Sequence, residues 1–362
     1  MARKKNFFAG PSVLPVEVLE QLQKDMVDYQ GKGLSMIEAS HRGGMFEDMY
    51  DKCLATIREV YHIPEGYDVY FLGGGATLQF TMIPWNFLRP GTCADYLKSG
   101  TWSNKATSDA QKLGSVKLYF DGTETKFTTL PDPKKVHPSS PNSSYLYLCS
   151  NETIGGIEWQ SFPDYQEDVP MIADMSSDFF SRPVPVERFS MIYGGVQKNL
   201  GPAGATLIIM KKSLLERQNP NMTAYMDYKL HAEDKGLYNT PPVFSIWAVG
   251  LVMDWIKKNG GVEAMEKRAI EKSKMVYDVI DSSPFWRCPV DKKVRSRMNI
   301  VFRLPSEELE NKFVDESKAA GMLGLKGHRS VGGLRASLYN ACPKEDVAAL
   351  CDFMKDFEKR NG

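Results

Sequence analysis

The feature that most constrains this chain is a serial alternation. Short, mostly apolar runs are separated by longer stretches of helical period. The runs fall at 68–72 (DVYFL), 93–97, 115–119, 145–149 (YLYLC), 171–175 (MIADM), 190–194 and 205–210. A strand covered on both faces reads as a continuous apolar run, whereas a half-exposed strand alternates. The expected fold class is therefore α/β, with a mostly parallel central sheet sandwiched by helices. Helices are expected at 16–30, where the periodicity stops at Gly31 and Gly33, at 45–61, at 76–88 behind a glycine turn, and at 243–258, closed by Asn259-Gly260-Gly261.

Past Pro284 the pattern changes. SRMNIVFRL (296–304) alternates with period two and reads as a half-exposed strand. A helix at 306–320, a strand at 334–338 and a helix at 343–360 would complete a smaller α+β unit. A chain of 362 residues ordinarily makes two domains. The division is expected inside a helix at 262–281, giving an N-terminal segment 1–15 packed near the active site, a large domain 16–265 and a small C-terminal domain 266–362.

Composition removes several classes. Lys plus Arg and Asp plus Glu are 45 each, so no basic surplus points to nucleic acid as a partner. Six cysteines, at 53, 93, 149, 288, 342 and 351, show no CxxC spacing and read as free thiols of a reducing compartment, with no metal site. The longest apolar runs, such as 205–210, fall far short of the ~20 residues of a spanning helix. Gly10, Pro11 and Pro15 interrupt the N-terminal apolar stretch too early for a signal peptide. A cytoplasmic protein without a membrane partner is expected. The Asn-x-Ser/Thr triplets at Asn142, Asn151 and Asn221 carry no weight without a secretion signal.

Four features of the larger region bear chemistry. GGGATLQF (73–80) follows a strand and opens a helix, where bare amides and the helix dipole favour an anion. It is neither a dinucleotide fingerprint nor a P-loop. Trp102 lies just past the run 93–97, on the side of a parallel sheet where ligands sit. Asp174, in IADMSS, closes an apolar strand, where an acid is costly unless a cation meets it; Asp178 is its nearest competitor. Lys198, in GGVQKNLGPAG, sits in a tight turn between apolar runs, a setting for a depressed pKa and Schiff-base chemistry. Each has an ordinary alternative: a packing turn, a rim aromatic, a helix cap, a solvated lysine. Together they supply an anion cradle, a stacking ring, an acid and an amine. Those are the requirements of pyridoxal 5'-phosphate.

The chain resembles the phosphoserine aminotransferase family, class-V enzymes of fold type I. The resemblance runs over essentially the whole length and rests on NFFAGPSVLP (6–15), EASHRG (38–43), GGGATLQF (73–80), NETIGGIE (151–158), IADMSSDFFSRP (172–183), YGGVQKNLGPAG (193–204), NTPPVF (239–244), SRMNIVF (296–302) and GLKGHRSVGGLRASLYNA (324–341). It implies that Lys198 carries the cofactor, that Asp174 pairs with the pyridine nitrogen and that Trp102 stacks on the ring. Ala76, Thr77, Thr153 and Gln197 would contact the cofactor or its phosphate. Asn239 and Thr240 would reach the phosphate of the neighbouring subunit, so a homodimer is implied. Arg335 would take the substrate α-carboxylate, and His41, Arg42, His328 and Arg329 its second anion. The implied reaction moves an amino group from L-glutamate to 3-phosphohydroxypyruvate, giving 2-oxoglutarate and O-phospho-L-serine, with a possible second role in vitamin B6 synthesis.

The chemistry of those assignments is sound in its own right. A substrate with a carboxylate and a phosphate needs two cationic patches, and arginine's planar fork suits both. Two His-Arg dipeptides, 41–42 and 328–329, stand next to glycines. Two departures from some family members matter. Ala76-Thr77 stands where those members carry an arginine, and Ala9 where they carry a serine. Phosphate binding would then rest on amides and the Thr77 hydroxyl. Rival readings are a cysteine desulfurase using Cys288 or Cys342, an alanine–glyoxylate aminotransferase, and a nicotinamide oxidoreductase that the glycine spacing does not support.

Overall fold

The computed structural model describes residues 3–137, 142–164 and 168–362. A seven-stranded sheet organises the larger part. Its spatial order is Tyr67–Leu72, Thr206–Lys211, Met191–Gly195, Met171–Asp174, Ser143–Cys149, Cys93–Lys98, Ser115–Asp121. Thr206–Lys211 is antiparallel to both neighbours, and every other pairing is parallel. All seven expected strands form, with ends within two residues of the sequence reading.

Both faces of the inner strands are buried, which is why their runs read as continuous, while the edge strand Ser115–Asp121 is largely exposed. On one face Val69, Phe71, Leu146, Leu148, Ile192 and Leu207 join a core with the helices Gly44–Val60 and Val243–Lys258. On the other, Tyr70, Tyr96, Tyr145, Tyr147 and Tyr193 pack with the helices Gly75–Phe87 and Thr101–Leu113. The alternation of Phe71 with Tyr70, and of Leu146 with Tyr145, is the period-two rule applied to a two-sided sheet.

The smaller part pairs Asn299–Phe302 antiparallel with Leu334–Ser337. Around this ribbon pack Glu307–Ala319, Lys344–Asn361 and the second half of the helix Gly261–Asp281. Val262 and Met265 of that helix join the large core, while Val276, Val279 and Ile280 join the small one. The N-terminal Lys5–Asn6 adds a short strand parallel to Met322–Leu323, and Phe7 lies in the small core.

Two expectations need correction. The helix expected at 16–30 is Val16–Lys24, after which the chain turns and Tyr29–Gly31 forms a single 3-10 turn. Continuing the helix would not serve Tyr29, whose ring packs edge-on against Trp247 at 5.7 Å. The strand expected at 296–304 is only Asn299–Phe302 and is largely buried. Ser296 delays its start, because its hydroxyl accepts from the amides of Met298 (3.0 Å) and Asn299 (2.9 Å).

Candidate active site

The carboxyl ends of the parallel strands meet at one edge, where an open α/β sheet forms its ligand crevice. Register brings the Lys198 turn there. Thr206 pairs with both Gly195 and Leu72, so the hairpin 196–205 ends beside the Gly73 turn.

The Lys198 amine donates to Thr153 Oγ1 at 2.7 Å and lies 5.0 Å from the Trp102 ring centroid. Burial pushes it below the ordinary lysine value, with Asp174 opposing and Arg335 assisting. The N-terminal segment clamps this turn from outside. Ser12 Oγ donates to the Lys198 carbonyl, and Tyr339 Oη donates to the Ala9 carbonyl at 2.7 Å.

Asp174 is 4% exposed at the end of its strand. Burial raises its pKa above the usual carboxylate value, while Lys198 and the Ser176 hydrogen bonds oppose that shift. Oδ1 accepts from the Ser176 amide (2.9 Å) and hydroxyl (2.6 Å). Ser176 Oγ in turn accepts from the Gly195 amide at 3.0 Å, tying the acid to the strand that leads to Lys198. Asp178 faces away, against Arg182 at 3.5 Å.

Trp102 sits in the first turn of Thr101–Leu113, and its indole Nε1 is buried without a partner. Glu152, fully buried, holds that turn. Its carboxylate accepts from the Trp102 amide (2.9 Å), the Ser103 amide (2.8 Å) and the Ser103 hydroxyl (2.6 Å). Gly100 is required here, since a Cβ would overlap the Glu152 side chain. Sequence reasoning missed Glu152 and Ser176. The only signal for Glu152 was an acid in a run (NETIGG) directly behind a buried strand.

The glycine turn joins its strand to its helix as read from the sequence. Gly74 has φ 81°, and a Cβ there would meet Leu78 Cβ at 2.8 Å. The helix Gly75–Phe87 starts without a side-chain cap, so the amides of Gly75, Ala76 and Thr77 remain open to an anion.

From the smaller part, Arg335 reaches in and donates to the Thr153 carbonyl at 3.3 Å, while its Nε is buried without a partner. His328 is half-buried; its Nδ1 accepts from the Ser330 amide at 3.2 Å, which leaves Nε2 to donate. Arg329 is exposed. The structure thus gathers Lys198, Asp174, Trp102, Thr153 and Arg335, with Gln197 half-buried beside Lys198. The Ala76 and Thr77 amides face the same edge, and His328 shares a cavity with Arg335, but four other expected residues are not brought in. Arg42, Asn239 and Thr240 are exposed, His41 Nε2 is buried without a partner, and Asn239 donates only to the Thr240 carbonyl.

An amine of lowered pKa, a buried acid, an indole with an unpartnered Nε1 and an uncapped helix start, all at one sheet edge, define a lysine-dependent α/β enzyme. The profile of the class-V aminotransferases matches residues 5–350. The phosphoserine aminotransferase of Laribacter hongkongensis is 48% identical over 358 residues, 99% of each chain. Among solved structures, the phosphoserine aminotransferase of Bacillus circulans subsp. alkalophilus superposes with a TM-score of 0.97 at 44% identity, covering 99% of each chain. A phosphoserine aminotransferase with bound PLP, from Trichomonas vaginalis, gives 0.89 at 38% identity over 98% of this chain and 100% of that one. The chain belongs to the class-V aminotransferase family, in its phosphoserine aminotransferase branch, and its fold is type I.

Proposed function

We propose that the chain catalyses reversible transamination between L-glutamate and 3-phosphohydroxypyruvate, giving 2-oxoglutarate and O-phospho-L-serine, with pyridoxal 5'-phosphate as cofactor. The observation that carries this is the Lys198 amine, held at Thr153 beside Trp102 in the field of buried Asp174.

The residues fit the cofactor. The amides of Gly75–Thr77 would cradle its phosphate, Trp102 would cover a face of the ring, and the Asp174 carboxylate would hold a proton on the ring nitrogen. Thr153 and Gln197 flank it. When bound, the cofactor supplies an aldehyde that condenses with amines and a ring that takes up the electrons left by a departing α-proton. Lys198 Nζ, biased toward its neutral form by burial, is the base that accepts the α-proton and later returns it. Asp174 must stay ionised, and the Ser176 hydrogen bonds hold its charge. Trp102 and the small domain exclude water.

Arg335 takes the α-carboxylate. The second anion falls to His328 and Arg329, joined by His41 and Arg42. The exposure of Asn239 and Thr240 fits residues that complete a partner's site, so we propose a homodimer; a monomer with full activity on sedimentation would contradict it. We likewise divide the chain into segment 1–15, a cofactor-binding domain 16–265 and a small domain 266–362; a protease cut near 266 that released no folded piece would argue against this. Use of the related four-carbon phosphorylated keto acid of vitamin B6 synthesis is a second proposed activity, and absence of turnover with it would remove it. Six free cysteines support a reducing, cytoplasmic setting, which fractionation of the source cells would check. Among the described residues no helix is long and apolar enough to cross a membrane.

Desulfurase chemistry fits poorly. Burial pushes the Cys342 thiol up to about 11 and raises that of Cys288, whereas a nucleophilic thiol needs the opposite shift. The test is a coupled assay with glutamate as donor and phosphohydroxypyruvate, pyruvate and glyoxylate as acceptors. Strong preference for the phosphorylated acceptor is expected; preference for glyoxylate would overturn the reading.

A further inference from the structure

Lys105 lies one helical turn after Trp102, the spacing that puts two side chains on one face. Its ammonium stands 4.7 Å from the Trp102 ring centroid. The side chain is exposed, and among the described residues it has no carboxylate partner. Nor do Arg329 and Arg335. His328 and Arg335 line one cavity, and burial first, then the charges of Arg335, Arg329 and Lys105, hold the His328 imidazole below its ordinary value. Four basic groups without a carboxylate partner among the described residues repel one another. The arrangement is relieved when a multiply charged anion enters.

We propose that Lys105 is a further specificity residue, whose ammonium reads the substrate's phosphate at the mouth of the site alongside His328 and Arg329. The inference rests on the transaminase reading above. It concerns one chain only, so the phosphate is held in part by the subunit that also carries Lys198. A carboxylate at the same place, as in glutamate, carries less charge and gains less from Lys105.

The test compares the cofactor-loaded wild type with Lys105→Gln and Lys105→Arg, using phosphohydroxypyruvate and its unphosphorylated counterpart hydroxypyruvate. For Lys105→Gln, KM for the phosphorylated acceptor is expected to rise about tenfold, the size of one exposed charge-assisted contact, with hydroxypyruvate unchanged. Lys105→Arg should restore most of the loss. Inorganic phosphate titrated calorimetrically should bind the Gln variant more weakly than the wild type. An equal change with both acceptors would mean that Lys105 acts only through Trp102, and would overturn the proposal. So would unchanged kinetics together with unchanged phosphate binding. A wild type with no preference for the phosphorylated acceptor would overturn the functional reading and this inference together, whereas a preference that survives in Lys105→Gln overturns the inference alone.

Discussion

Two lysines whose pKa burial lowers invite comparison, and only one can do chemistry. Lys272 is 2% exposed on the helix Gly261–Asp281, and its amine donates to the carbonyls of Tyr339 (2.7 Å) and Cys342 (3.1 Å). Burial lowers its pKa from the ordinary 10.5 to about 8. Lys198 is also lowered by burial, but among the described residues its amine donates only to the Thr153 hydroxyl, with a buried acid and an indole nearby. The two carbonyls hold the Lys272 amine as a staple between helix and chain. A hydroxyl can accept or donate, so Lys198 can lose its proton without stranding a neighbour. Burial and a lowered pKa therefore do not mark a catalytic lysine; the reversibility of its contacts does.

The largest effects test this contrast directly. Lys198→Ala should abolish transamination while leaving loose cofactor binding through the Gly75–Thr77 amides, read by equilibrium dialysis. Near-normal turnover would break the comparison. Asp174→Ala should lower the rate by about 10²–10³, because an ionised partner for the ring nitrogen is lost, and should weaken cofactor retention. Arg42→Ala should reduce kcat/KM for the phosphorylated acceptor by about 10–100-fold; unchanged kinetics would remove Arg42 from the site.

Lys272→Met should leave turnover and the cofactor spectrum intact. It strands two carbonyls, at a cost of about 2 kcal/mol, read as a Tm lower by a few degrees. The pH dependence sharpens the point. Between about 8 and 10.5 the unfolded chain still holds a proton on Lys272 that the native protein has shed. Native stability should therefore rise with pH across that window relative to the Met variant. A slope of the opposite sign would contradict the assignment of Lys272 as a desolvated staple.

Much of the fold was legible because both faces of the inner sheet are covered, so most of its strands appear as nearly uninterrupted apolar runs. What escaped was pairing. Nothing in TLIIM announces that Thr206–Lys211 runs antiparallel, or that Lys5–Asn6 pairs with Met322–Leu323. Lys198, Asp174 and Trp102 were visible because each is a polar or aromatic outlier at the end of an apolar run. Glu152 and Ser176 were not, since each acts through backbone amides that only the folded loops bring near. Asn239 and Thr240 came from resemblance alone, Arg42 from resemblance and its His-Arg pair, and within one chain all three stay at the surface.

The most direct measurement is borohydride reduction of the cofactor-loaded protein followed by peptide mapping. The account predicts a single cofactor adduct on the peptide holding Lys198 and none on that holding Lys272. An adduct on Lys272 or another lysine, or no adduct at all, would contradict it.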